Sequence, residues 1–83
     1  MAGAVQTKAY KDLLKALVAA REDADLSQAD LALKLGKPPS FVGKYELAER
    51  RLDVIELLVV LKTLNVDPIT FLHDATIKLP SRL

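Results

Sequence analysis

Ser27-Gln28-Ala29-Asp30-Leu31-Ala32-Leu33-Lys34-Leu35-Gly36-Lys37-Pro38-Pro39-Ser40-Phe41-Val42-Gly43-Lys44-Tyr45 is the stretch whose reading decides the fold. Ser27 reads as a helix N-cap with Asp30 three residues on, a short-chain version of the capping box. Leu31, Ala32 and Leu35 form the apolar edge of the helix that follows. Gly36 closes it at the position where a left-handed residue is wanted. Pro38 forbids continuation, and Pro39 suits the first turn of a new helix, expected over about Pro39 to Leu47. On that helix Phe41, Val42 and Tyr45 share one arc, and Ser40, Gly43, Lys44 and Leu47 share the opposite one.

Helical periodicity continues on both sides. At about 100° per residue, Tyr10, Leu13, Leu14, Leu17 and Val18 fall together, which predicts a first helix from roughly Gln6 to Asp23. Downstream, Asp53 is an N-cap with Glu56 as its partner, opening a fourth helix that runs to about Leu64. Its core-facing arc is expected to hold Val54, Leu57, Leu58, Leu61 and Leu64, with Val59 and Val60 outside the centre. Asp67-Pro68 repeats the cap-then-proline signal for a short fifth helix over Pro68 to His73. No segment alternates at period two for long enough to suggest a strand. The expected fold class is all-α: one compact five-helix domain over residues 1–74, with a short tail, 75–83, packed on the fourth helix or at a dimer interface.

Composition bounds the chemistry. The 83 residues allow one small core. A hydrophobic share of 51% against 28% charged is the balance of a globular domain rather than a disordered tail. With no cysteine there are no disulfides, thiolate sites or thiol nucleophiles. His73 stands alone, so a zinc site or histidine relay is not expected. Neither a nucleophile–base pair nor a phosphate-binding glycine loop can be assembled, so the expectation is a protein that is not an enzyme and holds no metal or cofactor. The longest apolar run, Leu57 to Leu61, is too short for a membrane span. The N-terminus lacks the apolar core of a secretory signal, so a cytoplasmic location is expected.

Ala32 is small where the second and third helices approach, Gly36 takes the turn conformation, and Val42 is a compact side chain facing the core. Together these are the requirements of a helix-turn-helix. Leu26 to Gly36, then Ser40 to Glu46, then Glu49-Arg50, resembles the Xre family, the phage repressor and Cro type of regulator with a lambda-repressor-like domain. The resemblance spans roughly Leu13 to Leu72. It implies a DNA-binding transcriptional regulator, most simply a repressor acting as a homodimer on palindromic double-stranded DNA.

Candidate site residues follow. Arg21 lies on the apolar arc of the first helix, where an unpaired arginine is costly, and Glu46 lies at the core edge of the third. The resemblance implies that they form a partly buried ion pair whose loss of one partner costs about 3 kcal/mol. Gln28 is similar to the family glutamine that grips a phosphate and buttresses the recognition helix. Ser40 and Lys44, on the outward arc, can reach base edges. Lys37, Arg50 and Arg51 flank the recognition helix as phosphate contacts; Arg50 holds the family's arginine position, and Arg51 is inferred from its place in the loop. Pro39 and Gly43 complete the outward face, where Gly43 permits close approach to a groove or is a tolerated weak spot. Ala48 stands where the family usually has glycine, which predicts a strained or altered turn. Val60, Ile77 and Leu79 are the dimer candidates. An antitoxin that binds a small toxin and autoregulates, or a restriction–modification controller protein, are the alternatives.

The overall charge of +1 gives no hint of DNA. Divided along the chain, residues 1–33 carry four cations and five anions, 34–51 five cations and two anions, and 52–83 three cations and four anions. The +3 of the middle segment falls on the helix-turn-helix, as a salt-dependent phosphate footprint requires.

Overall fold

A computed structural model describes residues 7–75 and 77–82. Five helices follow in order: α1 (Lys8–Asp23), α2 (Gln28–Leu35), α3 (Ser40–Glu46), α4 (Val54–Thr63) and α5 (Pro68–Asp74). There is no strand among the described residues. The expected start of the first helix at Gln6 lies outside them. Thr7 caps α1 by accepting from Tyr10 N. No helix among the described residues is long and apolar enough to cross a membrane.

The starts of α2 and α4 are fixed by reciprocal boxes. Ser27 Oγ accepts from Asp30 N while Asp30 returns a carboxylate to Ser27 N. Asp53 and Glu56 repeat the arrangement at α4. Asp67 caps α5 through Thr70 N, with Pro68 in the first turn. Hydrogen bonds hold the Asp30 carboxyl, bonded to Ser27, and the Asp67 carboxyl, bonded to Thr70, below the usual carboxylate range. Pro39 sits one residue earlier than expected, immediately before α3, in helical conformation and with no side-chain cap.

Helix ends share one device. At the end of α2, Gly36 has φ +71° and the Lys37 N–H reaches Ala32 O. The same six-to-one bonds run from Leu26 N to Arg21 O, Glu49 N to Lys44 O and Val66 N to Leu61 O. In those three turns the left-handed residue is Asp25, Ala48 or Asn65, with φ near +61°. Asp and Asn tolerate this region; Ala48, buried with a β-carbon, is strained there.

The core joins Tyr10, Leu14 and Leu17 of α1 to Leu31 and Ala32 of α2, Phe41, Val42 and Tyr45 of α3, Val60, Leu61 and Leu64 of α4, and Phe71 of α5. Helix α4 is rotated from its expected setting. Val60 is 1% exposed and belongs to the core, whereas Val54, Ile55, Leu58 and Val59 face outward. Two overlapping apolar stripes satisfy the helical period on α4, and packing against α2 and α5 selects Leu57, Val60, Leu61 and Leu64. As a dimer contact Val60 is therefore corrected: it has no surface to offer a partner. The tail residues Ile77, Leu79, Pro80 and Arg82 line a groove with Tyr10 and Leu13 of α1 and Leu72 of α5, and no α4 residue lines it. Leu79 is 82% exposed there.

Candidate nucleic-acid interface

The α2–turn–α3 unit is held from behind by a chain of polar contacts. Arg21 Nε donates to Glu46 Oε2 at 2.8 Å and its second terminal nitrogen reaches Glu46 Oε1 at 3.3 Å. Its remaining terminal nitrogen donates to Leu26 O at 2.9 Å, tying the α1–α2 turn into the same node. The Arg21 and Glu46 side chains are 11% and 6% exposed, so each charge depends on the other for solvation. The hydrogen bond from Arg21 to Glu46 raises the guanidinium pKa above its ordinary value. Gln28 Nε2 then donates to Glu46 Oε1 at 2.8 Å, which joins the first residue of α2 to the last of α3. These contacts place α3 and leave Ser40 and Lys44 exposed on its outward arc.

That arc is sparse. Pro39, Ser40 and Lys44 are exposed and Gly43 is half-buried. Leu47, just past the helix, is 70% exposed. Lys44 is the one long polar side chain on the face. Behind it the tyrosine ring of Tyr45 is fully buried and meets Phe41 edge-on, centroids 5.8 Å apart. Burial raises the Tyr45 pKa, and its hydroxyl has no hydrogen-bond partner among the described residues.

The loop cations are more engaged than their sequence positions reveal. Arg50 makes a two-pronged pair with Glu56, at 2.9 and 2.6 Å, and also donates to Arg51 O. Its guanidinium lies 5.0 Å from the Phe41 ring centre, and the Lys37 ammonium lies 5.4 Å from the same centre. The Arg50 bond holds the Glu56 carboxyl down at about 2, with the Asp53 N–H as the next cause. Arg51 stacks over Tyr10 at 4.5 Å, and the Tyr10 hydroxyl accepts from Leu52 N. Glu56 and Tyr10 are thus site residues that sequence reasoning missed in this role, Glu56 reading there as a cap partner and Tyr10 as a core residue. The signal available was an arginine shortly before a capping box, which is weak.

These pairs leave the footprint unchanged. Arg21 neutralises Glu46 within the 34–51 segment, and Glu56, outside it, neutralises Arg50. One anion and one cation are removed, so the segment keeps its +3. The structure brings Gln28, Gly43 and Glu46 together on one side, and Lys37 and Arg50 around Phe41 on the other.

A helix-turn-helix family model, of the Xre type, matches residues 17–71. The chain belongs to the Xre family of helix-turn-helix proteins. Its fold is similar to an XRE-family like protein from Pseudomonas syringae pv. tomato str. DC3000, at 45% identity and a TM-score of 0.76, covering 81% of this chain and 82% of that one. A search of curated proteins gave no match. The Xre family is a family of DNA-binding transcription regulators, and within it the α2–turn–α3 unit is the part expected to face DNA.

Proposed function

We propose that this Xre-family chain is a cytoplasmic transcription regulator, a repressor in the simplest case, that binds palindromic double-stranded DNA as a homodimer. The observation that carries the reading is the exposure of Ser40 and Lys44 on the outward arc of α3, beside Gln28 and the cations of the 34–51 segment. Lys44 and Ser40 read base edges. Gln28, Lys37 and Arg51 bind phosphate, and Pro39 and Gly43 let the helix approach the groove. Arg50 has two N–H groups left for a phosphate but little net charge, so its contribution is chiefly to fix the loop. With so few direct readers, specificity leans on DNA shape and on water-mediated contacts.

The dimer reading now rests on Leu79 and Ile77 of the tail and on the outward stripe of α4, and no longer on Val60. Selection of bound duplexes from a random double-stranded pool tests the whole reading. An enriched site with two symmetric halves about one helical turn apart supports it. Failure to enrich any sequence, with binding that stays non-specific, overturns it.

A further inference from the structure

Gly43 lies inside α3, where a glycine weakens a helix relative to alanine. Its φ is an ordinary helical one, so the backbone does not demand glycine. What occupies the space of its missing side chain is the carboxamide of Gln28. A β-carbon on residue 43 would sit 3.3 Å from Gln28 Oε1, 3.8 Å from Cδ and 3.9 Å from Nε2. The same carboxamide is held from its other side by Glu46, itself fixed by Arg21. The Gln28 carboxamide thus lies between Glu46 and the Gly43 backbone, with its second Nε2 hydrogen carrying no partner among the described residues.

We propose that Gly43 is a positioning residue: its bare α-carbon is the seat that lets the Gln28 carboxamide lie against α3 and aim its remaining N–H at a DNA phosphate. The role rests on the reading of α2 and α3 as the DNA interface. Gly43 acts through Gln28, and contact between Gly43 and a base is not required.

Gly43→Ala, made with and without Gln28, separates this from a structural role, because a loss that passes through Gln28 vanishes when Gln28 is removed. The variant keeps the helical backbone at residue 43, where alanine is favoured over glycine. It also pushes the Gln28 amide by a few tenths of an ångström and weakens binding to the selected duplex about ten-fold. In a Gln28→Ala background the same substitution changes affinity less than two-fold. In the DNA-free protein, the Gln28 side-chain NH2 resonances shift between the wild type and Gly43→Ala. Unchanged affinity in Gly43→Ala, or an equal loss in both backgrounds, overturns the proposal. Unmoved Gln28 resonances also overturn it. If the wild type binds no duplex while the resonances do move, the DNA reading has failed and the phosphate-aiming role falls with it, leaving only the packing of Gln28 on Gly43.

Discussion

Removing Glu46 should do more damage than any other single change on the surface of the site. Glu46→Ala leaves the Arg21 guanidinium, 11% exposed, with the Leu26 carbonyl as its one hydrogen-bond partner among the described residues. It also strips Gln28 Nε2 of its acceptor. Breaking a buried ion pair from one side costs about 3–5 kcal/mol, because the remaining charge stays desolvated. For a domain of this size, each kcal/mol moves Tm by about 4–8 °C, so the expected fall is at least about 12 °C. The variant pair Arg21→Met, Glu46→Leu should recover most of that loss, since apolar residues of similar volume carry no desolvation penalty. DNA affinity should not recover with it, because Gln28 still lacks Glu46. Urea denaturation of Glu46→Ala, and of Arg21→Met, Glu46→Leu and the variant carrying both, read by circular dichroism, measures the loss and the cycle. A loss below about 1 kcal/mol in Glu46→Ala, or a double variant as unstable as the two single losses added together, would refute the claim that burial makes the pair interdependent.

Acid should reveal the second pair: the folded Glu56 carboxyl lies at about 2 against an ordinary 4.5, so its contribution is present above 4.5 and disappears as pH falls toward 2. Urea midpoints of the wild type and Glu56→Gln should differ most at pH 6 to 7 and converge near pH 2, and a gap independent of pH would sink this. Tyr45→Phe removes a buried hydroxyl that has no hydrogen-bond partner among the described residues, so stability should stay level or rise by up to about 1 kcal/mol, checked by Tm; a loss of about 1 kcal/mol or more would contradict this. Val60→Asp should cost at least about 3 kcal/mol by burying a carboxylate in the core, whereas Leu79→Asp should leave Tm nearly unchanged and shift sedimentation toward monomer. Equal Tm for the two variants would contradict the rotation of α4.

The features legible in sequence were those with local causes. Ser27 with Asp30, Asp53 with Glu56, and Asp67 with Pro68 are capping pairs within three residues, and each opens its helix as expected. Gly36 announced its left-handed turn because glycine is the default residue there. The equivalent turns at Asp25, Ala48 and Asn65 were harder to see, since those residue types carry no single conformational message; only Ala48 was suspected, through the family's usual glycine. The setting of α4 was illegible because Val54, Leu58 and Val59 make a second stripe as apolar as the buried one, and only neighbouring helices choose between them. Arg50 presents the same sequence signature whether its guanidinium faces solvent or Glu56, so its pairing could be read only from the fold.

On the proposed reading, α3 contacts bases chiefly through Lys44. Random-duplex selection repeated with Lys44→Ala tests it most directly. The enriched consensus should lose information at one or two positions in each half-site while the half-site spacing stays the same. A consensus identical to that of the wild type would contradict it.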